Sequence, residues 1–234
     1  MHLDFSAASV LNFAYMIFIL LVSLSVHESA HGYMAERRGD NTARMLGRIT
    51  LNPLKHIDPV GSVIVPVVLF LIGLPIFGWA KPVPVNPRNF TNYRLDNALV
   101  SAAGPGSNLL LALAGTLAMA VYLLIVGPGT FYAEAAQEYS PPALLLLFSS
   151  LNLLLMAFNF IPIPPLDGSH ILEAVLPKGP VSEIYEKVRP FGFLILLFVI
   201  WTPILGVVLH FVLNLLLTVF VFFPLTLVAA VAGQ

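Results

Sequence analysis

Residues 5–35 read FSAASVLNFAYMIFILLVSLSVHESAHGYMA, and Glu28 is the one charged residue in the run. A helix crossing the hydrocarbon core of a bilayer needs about 20 apolar residues. The stretch therefore predicts a membrane-spanning helix, roughly Ala8 to Met34. It carries His27, Glu28 and His31 near its far end. The chain start lacks the basic residues of a signal peptide, so this run is expected to stay as a span.

Outward from this run the charge pattern sets the topology. Arg37, Arg38, Arg44, Arg48 and Lys55 crowd the next segment, Glu36 to Asp58. Such a basic segment is expected on the cytoplasmic side. Before Glu28 there is one charge, Asp4, and no Lys or Arg, which places the N-terminus outside. Pro59 to Ala80 is uncharged but broken by Pro66, Gly73 and Pro75, and basic residues flank it on both sides. It reads as a re-entrant hairpin. Residues 79–90 hold three prolines, Pro82, Pro84 and Pro87, and read as a strand-like, extended piece at the membrane edge.

Two more spans are expected at about 98–126 and 142–161, joined by an acidic loop with Glu134 and Glu138. The third stops at Pro162, Pro164 and Pro165, and a short polar helix follows. Residues 190–234 lack Asp, Glu, Lys and Arg and are long enough to cross twice, with a break near Pro203 to Gly206. The whole reads as one polytopic domain over 1–234. It is an all-α integral membrane protein of about five to six transmembrane helices, with the hairpin and the strand-like segment.

Composition agrees. The chain is 58% hydrophobic and 10% charged, against about 25% charged in a soluble domain. A net charge of −1 offers no nucleic-acid surface. With no cysteine, a metal site must draw on His, Asp or Glu.

His27-Glu28-Ser29-Ala30-His31 carries the chemistry. Two histidines four apart lie on one helix face and can converge on one zinc. Glu28 between them can take a proton from a water on that metal. Ionisable groups inside a span are costly and mark function by default; helix-end residues snorkelling to the interface are the bland alternative. A catalytic zinc needs a third ligand. Asp167, after the proline break and on the same side of the membrane, is the candidate. Gly168 next to it permits close backbone approach. Alone, Asp167 reads better as the N-cap of 168–176; with the histidine pair, the ligand reading is favoured, since two histidines leave a zinc site incomplete.

These residues resemble the site-2 protease family of intramembrane zinc metalloproteases. The likeness rests on His27-Glu28-x-x-His31 paired with Asn159-Phe-Ile-Pro162-Ile-Pro164-Pro-Leu166-Asp167-Gly168. Ala103-Gly104-Pro105-Gly106-Ser107-Asn108 matches too, and residues 78–87 resemble the bacterial branch without attached domains. The resemblance implies Zn²⁺ held by His27, His31 and Asp167, with Glu28 as general base and proton donor. It sets Asn108 near the substrate carbonyl as an oxyanion donor; bonding another helix is the equal alternative. Asn159 would clamp an unfolded substrate, orient Asp167 or pack between helices.

Val83 and Val85, in the extended segment, would bind substrate by strand addition; a proline-rich surface loop is the rival reading. The implied partners are single-span membrane proteins as substrates and the lipid bilayer. The implied location is the cell membrane, with the active site toward the cytoplasm. A divalent-metal transporter and a non-catalytic scaffold are the competing functions. Glu173 is the one nearby alternative to Asp167. His56 and Asp58 are expected in solvent, with support of the metal ligands as the alternative, and His170 at the surface.

Overall fold

A computed structural model describes residues 7–73 and 78–233. Helices dominate, and among the described residues there is no strand. Four helical stretches are long and apolar enough to cross a membrane: Val10–Arg37, Tyr93–Val126, Pro141–Asn159 and Pro203–Ala232. The chain divides into two compact units, Met1–Gly104 and Pro105–Gln234.

The first unit is built on α1 (Ala7–Arg37). Gly39, at φ +102°, turns the chain back, so that the Asp40 N–H reaches the Ala35 carbonyl at 2.9 Å. The short α2 (Thr42–Met45) follows. Three Asx-Pro pairs then punctuate the chain. The side chains of Asn52, Asp58 and Asn86 each accept the N–H two residues on, and proline sits at the first helical position in each case. Asp58 starts a six-residue π-helical stretch, Pro59–Ile64, which runs into the seven-residue α3 (Val65–Leu71). Phe70 stacks on Phe13 of α1 at 4.5 Å. Thirteen helical residues rise about 20 Å, less than the ~30 Å of a hydrocarbon core. The return arm of the expected hairpin includes 74–77, which lie outside the described residues.

Residues 79–86 have no regular secondary structure and form no strand, which corrects the strand-like expectation. Pro82 and Pro84 have no N–H to give to a ladder. The N–H groups of Trp79, Lys81, Val83 and Asn86 are used within the unit, on Gly61 O, His56 O, Glu28 and Asp40. A small apolar cluster of Ala35, Phe90 and Val100, with Met34 and Val85 against it, seats the segment on α1.

The second unit takes in most of α4 (Tyr93–Val126), then α5 (Pro128–Ala135), α6 (Pro141–Asn159), α7 (Asp167–Val175) and α8 (Pro180–Val188). It ends with α9 (Gly192–Trp201), α10 (Pro203–Leu217) and α11 (Phe223–Ala232). Its polarity is that of a membrane protein. On α4 the buried face holds Asn108, Ala112, Thr116, Met119 and Leu123, while Leu110, Leu117, Leu124 and Ile125 stand 57–76% exposed. In water such a leucine stripe would be buried; in lipid it is the outer surface. The core gathers Met119, Leu123, Phe131, Leu153, Val221 and Leu225.

The chain breaks at Thr202, whose extended backbone precedes Pro203. The break falls where expected, but it leaves α9 with only ten residues. Pro203–Ala232 then runs on as one long stretch. The tail thus supplies one stretch of spanning length, and the described residues supply four in all, below the five to six expected.

Candidate metal centre and catalytic residues

α1 carries both histidines on one face. His27 is 4% exposed, and its ring meets that of His31 edge to face at 4.6 Å between centroids. Their Nε2 atoms are 3.0 Å apart. His31 Nδ1 lies 2.7 Å from the Val100 carbonyl oxygen. A carbonyl only accepts, so this contact sets the proton on Nδ1 and leaves Nε2 with its lone pair. That second partner is what a metal-binding histidine needs.

Gly104 lies over the two rings. A Cβ there would stand 2.4 Å from His31 Nε2 and 2.6 Å from His27 Cε1, so only glycine leaves the imidazole edges open. Two nitrogens bound tetrahedrally to one zinc lie about 3.3 Å apart, given Zn–N bonds of about 2.0–2.1 Å. The observed spacing and the tautomer fit that donor set.

Glu28 is half-buried, and its Oε2 accepts the Val83 N–H at 2.7 Å. One carboxylate oxygen is thus anchored. Val83 itself is buried, and Val85 packs beside Ala35 and Phe90. The Val83 N–H is spent on Glu28.

His56 corrects the expectation of a solvated side chain: it is 2% exposed. Its Nε2 is 2.9 Å from the Thr50 carbonyl, which also receives the Ser29 hydroxyl at 2.5 Å. The Lys81 N–H, from the 79–86 segment, bonds the His56 carbonyl at 2.8 Å. Asp58, instead of facing water freely, caps residues 59–64.

In the second unit Asp167 is the first residue of α7, and Leu166 is the N-cap. Asp167 therefore stands one place inside the helix instead of at the N-cap. Gly168 does allow close approach, since a Cβ would come within 2.3 Å of the Phe160 carbonyl oxygen. Glu173, the rival ligand, is 8% exposed and paired with Arg189 at 3.2 Å. His170 is half-buried beside that pair; burial, then the Arg189 charge, hold its pKa below the usual histidine value.

Asn108 is fully buried, and its Nδ2 donates to Asn152 Oδ1 at 2.9 Å. Asn152 in turn donates to the Phe148 carbonyl at 2.9 Å. The inter-helix alternative is therefore realised. Asn159 donates to Leu155 O, one turn back on its own helix, at 3.0 Å. Sequence reasoning quoted Gly104 without giving it a task and passed over Asp40. Gly104 had one signal: its place in the small-residue motif 103–108, within an expected span.

A histidine pair prepared for a metal, with a carboxylate between its members and all three on a span-length helix, marks the metallopeptidase class. Comparison with known proteins makes this specific. The model of peptidase family M50 matches residues 15–200. The chain belongs to peptidase family M50, the site-2 protease family. It is 40% identical over 202 residues to "Putative zinc metalloprotease YwhC" of Bacillus subtilis, covering 86% of each chain. It is 31% identical over 186 residues to "Putative zinc metalloprotease Rip2" of Mycolicibacterium smegmatis, covering 80% of this chain and 66% of that one. The same figures for Rip2 of Mycobacterium tuberculosis are 31% over 191 residues, 80% and 66%. No solved structure is a significant match.

Proposed function

We propose that this chain is an intramembrane zinc metalloendopeptidase. It hydrolyses peptide bonds of membrane-anchored, single-span proteins within or at the edge of the bilayer. The observation that carries the reading is the His31 Nδ1 contact to Val100 O, which turns Nε2 into a metal donor beside the Nε2 of His27. Family membership and the names of the relatives support it. They also disfavour the transporter and scaffold readings.

His27, His31 and Asp167 would hold the zinc, two neutral imidazoles and one carboxylate, as in other hydrolytic zinc sites. Bound zinc supplies the Lewis acid and lowers the pKa of a water toward ~7. Glu28, adjacent in sequence to His27 and fixed at one oxygen, would be the base that accepts the proton of the attacking water and the acid that returns it to the leaving amine. The Val83 N–H holds the Glu28 carboxylate in one orientation between these two transfers. Asn108, committed to Asn152, would help the oxyanion only by changing partner. The basic segment around Arg37, Arg38, Arg44 and Arg48 supports a site toward the cytoplasmic side of the cell membrane.

The test is cleavage of a single-span substrate by purified protein with and without a zinc chelator, beside Glu28→Gln. Chelation should stop cleavage, and Glu28→Gln should keep its zinc while losing about 10²–10⁴-fold in turnover. Wild-type turnover in Glu28→Gln would remove the base assignment.

A further inference from the structure

Asp40 has no part in the proposed chemistry, yet its carboxylate accepts four hydrogen bonds. It is fully buried. Its Oδ2 accepts the Asn86 N–H at 2.7 Å, and its Oδ1 accepts Asn89 Nδ2 at 2.7 Å. Oδ1 also accepts the Thr42 N–H at 3.1 Å and the Thr42 hydroxyl. Two of these donors belong to the segment that delivers Val83 to Glu28.

The segment is held from three directions. At one end the Val83 N–H meets Glu28 Oε2 at 2.7 Å. At the other end Asp40 takes Asn86 and Asn89. Arg48 donates to the Lys81 carbonyl at 2.9 Å and to the Pro82 carbonyl at 3.3 Å. Val83 also lies against the helix face next to the histidine pair. A Cβ on Gly32 would come within 3.0 Å of Val83 Cγ1 and 3.2 Å of Ala43 Cβ. The Val83 N–H therefore has little freedom along α1, and its position is set by where the segment is fastened.

We propose that Asp40 is a positioning residue for the Glu28 carboxylate, acting through residues 83–89 and the Val83 N–H. This rests on Glu28 being the base. A backbone donor can orient a carboxylate only if the backbone itself is fixed. Asp40 is the buried group that fixes it, with several acceptor bonds that no neutral side chain of its size reproduces. Loss of Asp40 frees the segment, the Val83 N–H drifts, and Glu28 samples other rotamers. Misplacement of a reacting group by about 1 Å costs on the order of 10² in rate. Zinc binding does not pass through this chain of bonds.

The experiment uses the full chain in detergent with a single-span substrate. It compares wild type, Asp40→Ala, Asn89→Ala and Glu28→Gln. It reads bound zinc per chain, kcat per zinc-loaded chain, KM, and hydrogen exchange of the Val83 and Asn86 amides. Asp40→Ala should keep its zinc and its KM, lose about 10²-fold in kcat, and exchange both amides faster. Asn89→Ala removes one bond to Asp40 and should show the same pattern at smaller size. It also decides the matter if Asp40→Ala does not fold.

Zinc-loaded Asp40→Ala with wild-type kcat would overturn the inference. So would a raised kcat, which would make the Val83 contact a restraint on the base. An inactive Glu28→Gln beside fully active Asp40 and Asn89 variants removes this inference alone. An active Glu28→Gln removes the base and the inference together.

Discussion

His31 and Val100 are joined by a 2.7 Å contact from Nδ1 to the backbone carbonyl oxygen, across 69 positions of sequence. The acceptor is a backbone carbonyl, so the side chain at 100 can vary without changing the tautomer it imposes. Val100 lies on α4, which also brings Gly104 to the imidazole edges. The carbonyl that prepares the donor and the glycine that leaves room for the metal are one helical turn apart.

Gly104→Ala follows directly. The new methyl would overlap His31 Nε2 and His27 Cε1, so the rings must turn away or the helix must shift. Overpacking of this kind costs about 1–3 kcal/mol. Bound zinc per chain should fall well below one, with cleavage lost in proportion. Full zinc occupancy and activity would show that the imidazoles do not need that space.

Asp40 predicts a pH dependence. Burial raises its pKa, but the bonds from Thr42, Asn86 and Asn89 outweigh this and leave the carboxyl below its ordinary value. A depressed pKa adds stability that is present above the unfolded value, near ~3.9, and is lost as pH falls through the folded value below it. Asp40→Asn should therefore lower Tm at neutral pH, and its gap to wild type should narrow under acid below about pH 4. A gap that stays constant into strong acid would contradict the assignment.

The Asn108–Asn152 pair can be apportioned by a double-mutant cycle. Each single change to Ala should lower stability in detergent, with a coupling of about 0.6 kcal/mol, the mean for such bonds between membrane helices. If the pair is purely an inter-helix bond, Asn108→Ala and Asn152→Ala should lower kcat alike. A selective loss for Asn108→Ala would reinstate the oxyanion role.

Much of this was legible in the chain itself, and the limits have physical causes. Uncharged runs marked three spanning helices to within a few residues, because lipid enforces length and composition together. The histidine pair was legible because its geometry is local to one helix. The tail was harder. Hydropathy registers 190–234 as apolar throughout, but only the bend at Thr202 shows that α9 is short and that Pro203–Ala232 runs on as one. The least legible part was the 79–90 segment. Its prolines signalled extension but not its partners. Glu28 and His56 meet it through backbone N–H groups alone and Asp40 through one backbone N–H besides the Asn89 side chain, and backbone groups leave no mark on residue identity. His56 was read as solvated for the same reason: a polar sequence neighbourhood says nothing of a distant segment packed over it.

The central claim is that His27, His31 and Asp167 share one zinc ion. Zinc-edge X-ray absorption on the purified, zinc-loaded protein tests it most directly, with Asp167→Ala and His31→Ala measured alongside. Wild type should show two imidazole nitrogens at about 2.0–2.1 Å with carboxylate oxygen in the same shell. His31→Ala should lose one imidazole, and Asp167→Ala should lose the carboxylate oxygen or the metal itself. An Asp167→Ala spectrum superimposable on wild type at full occupancy would contradict the claim.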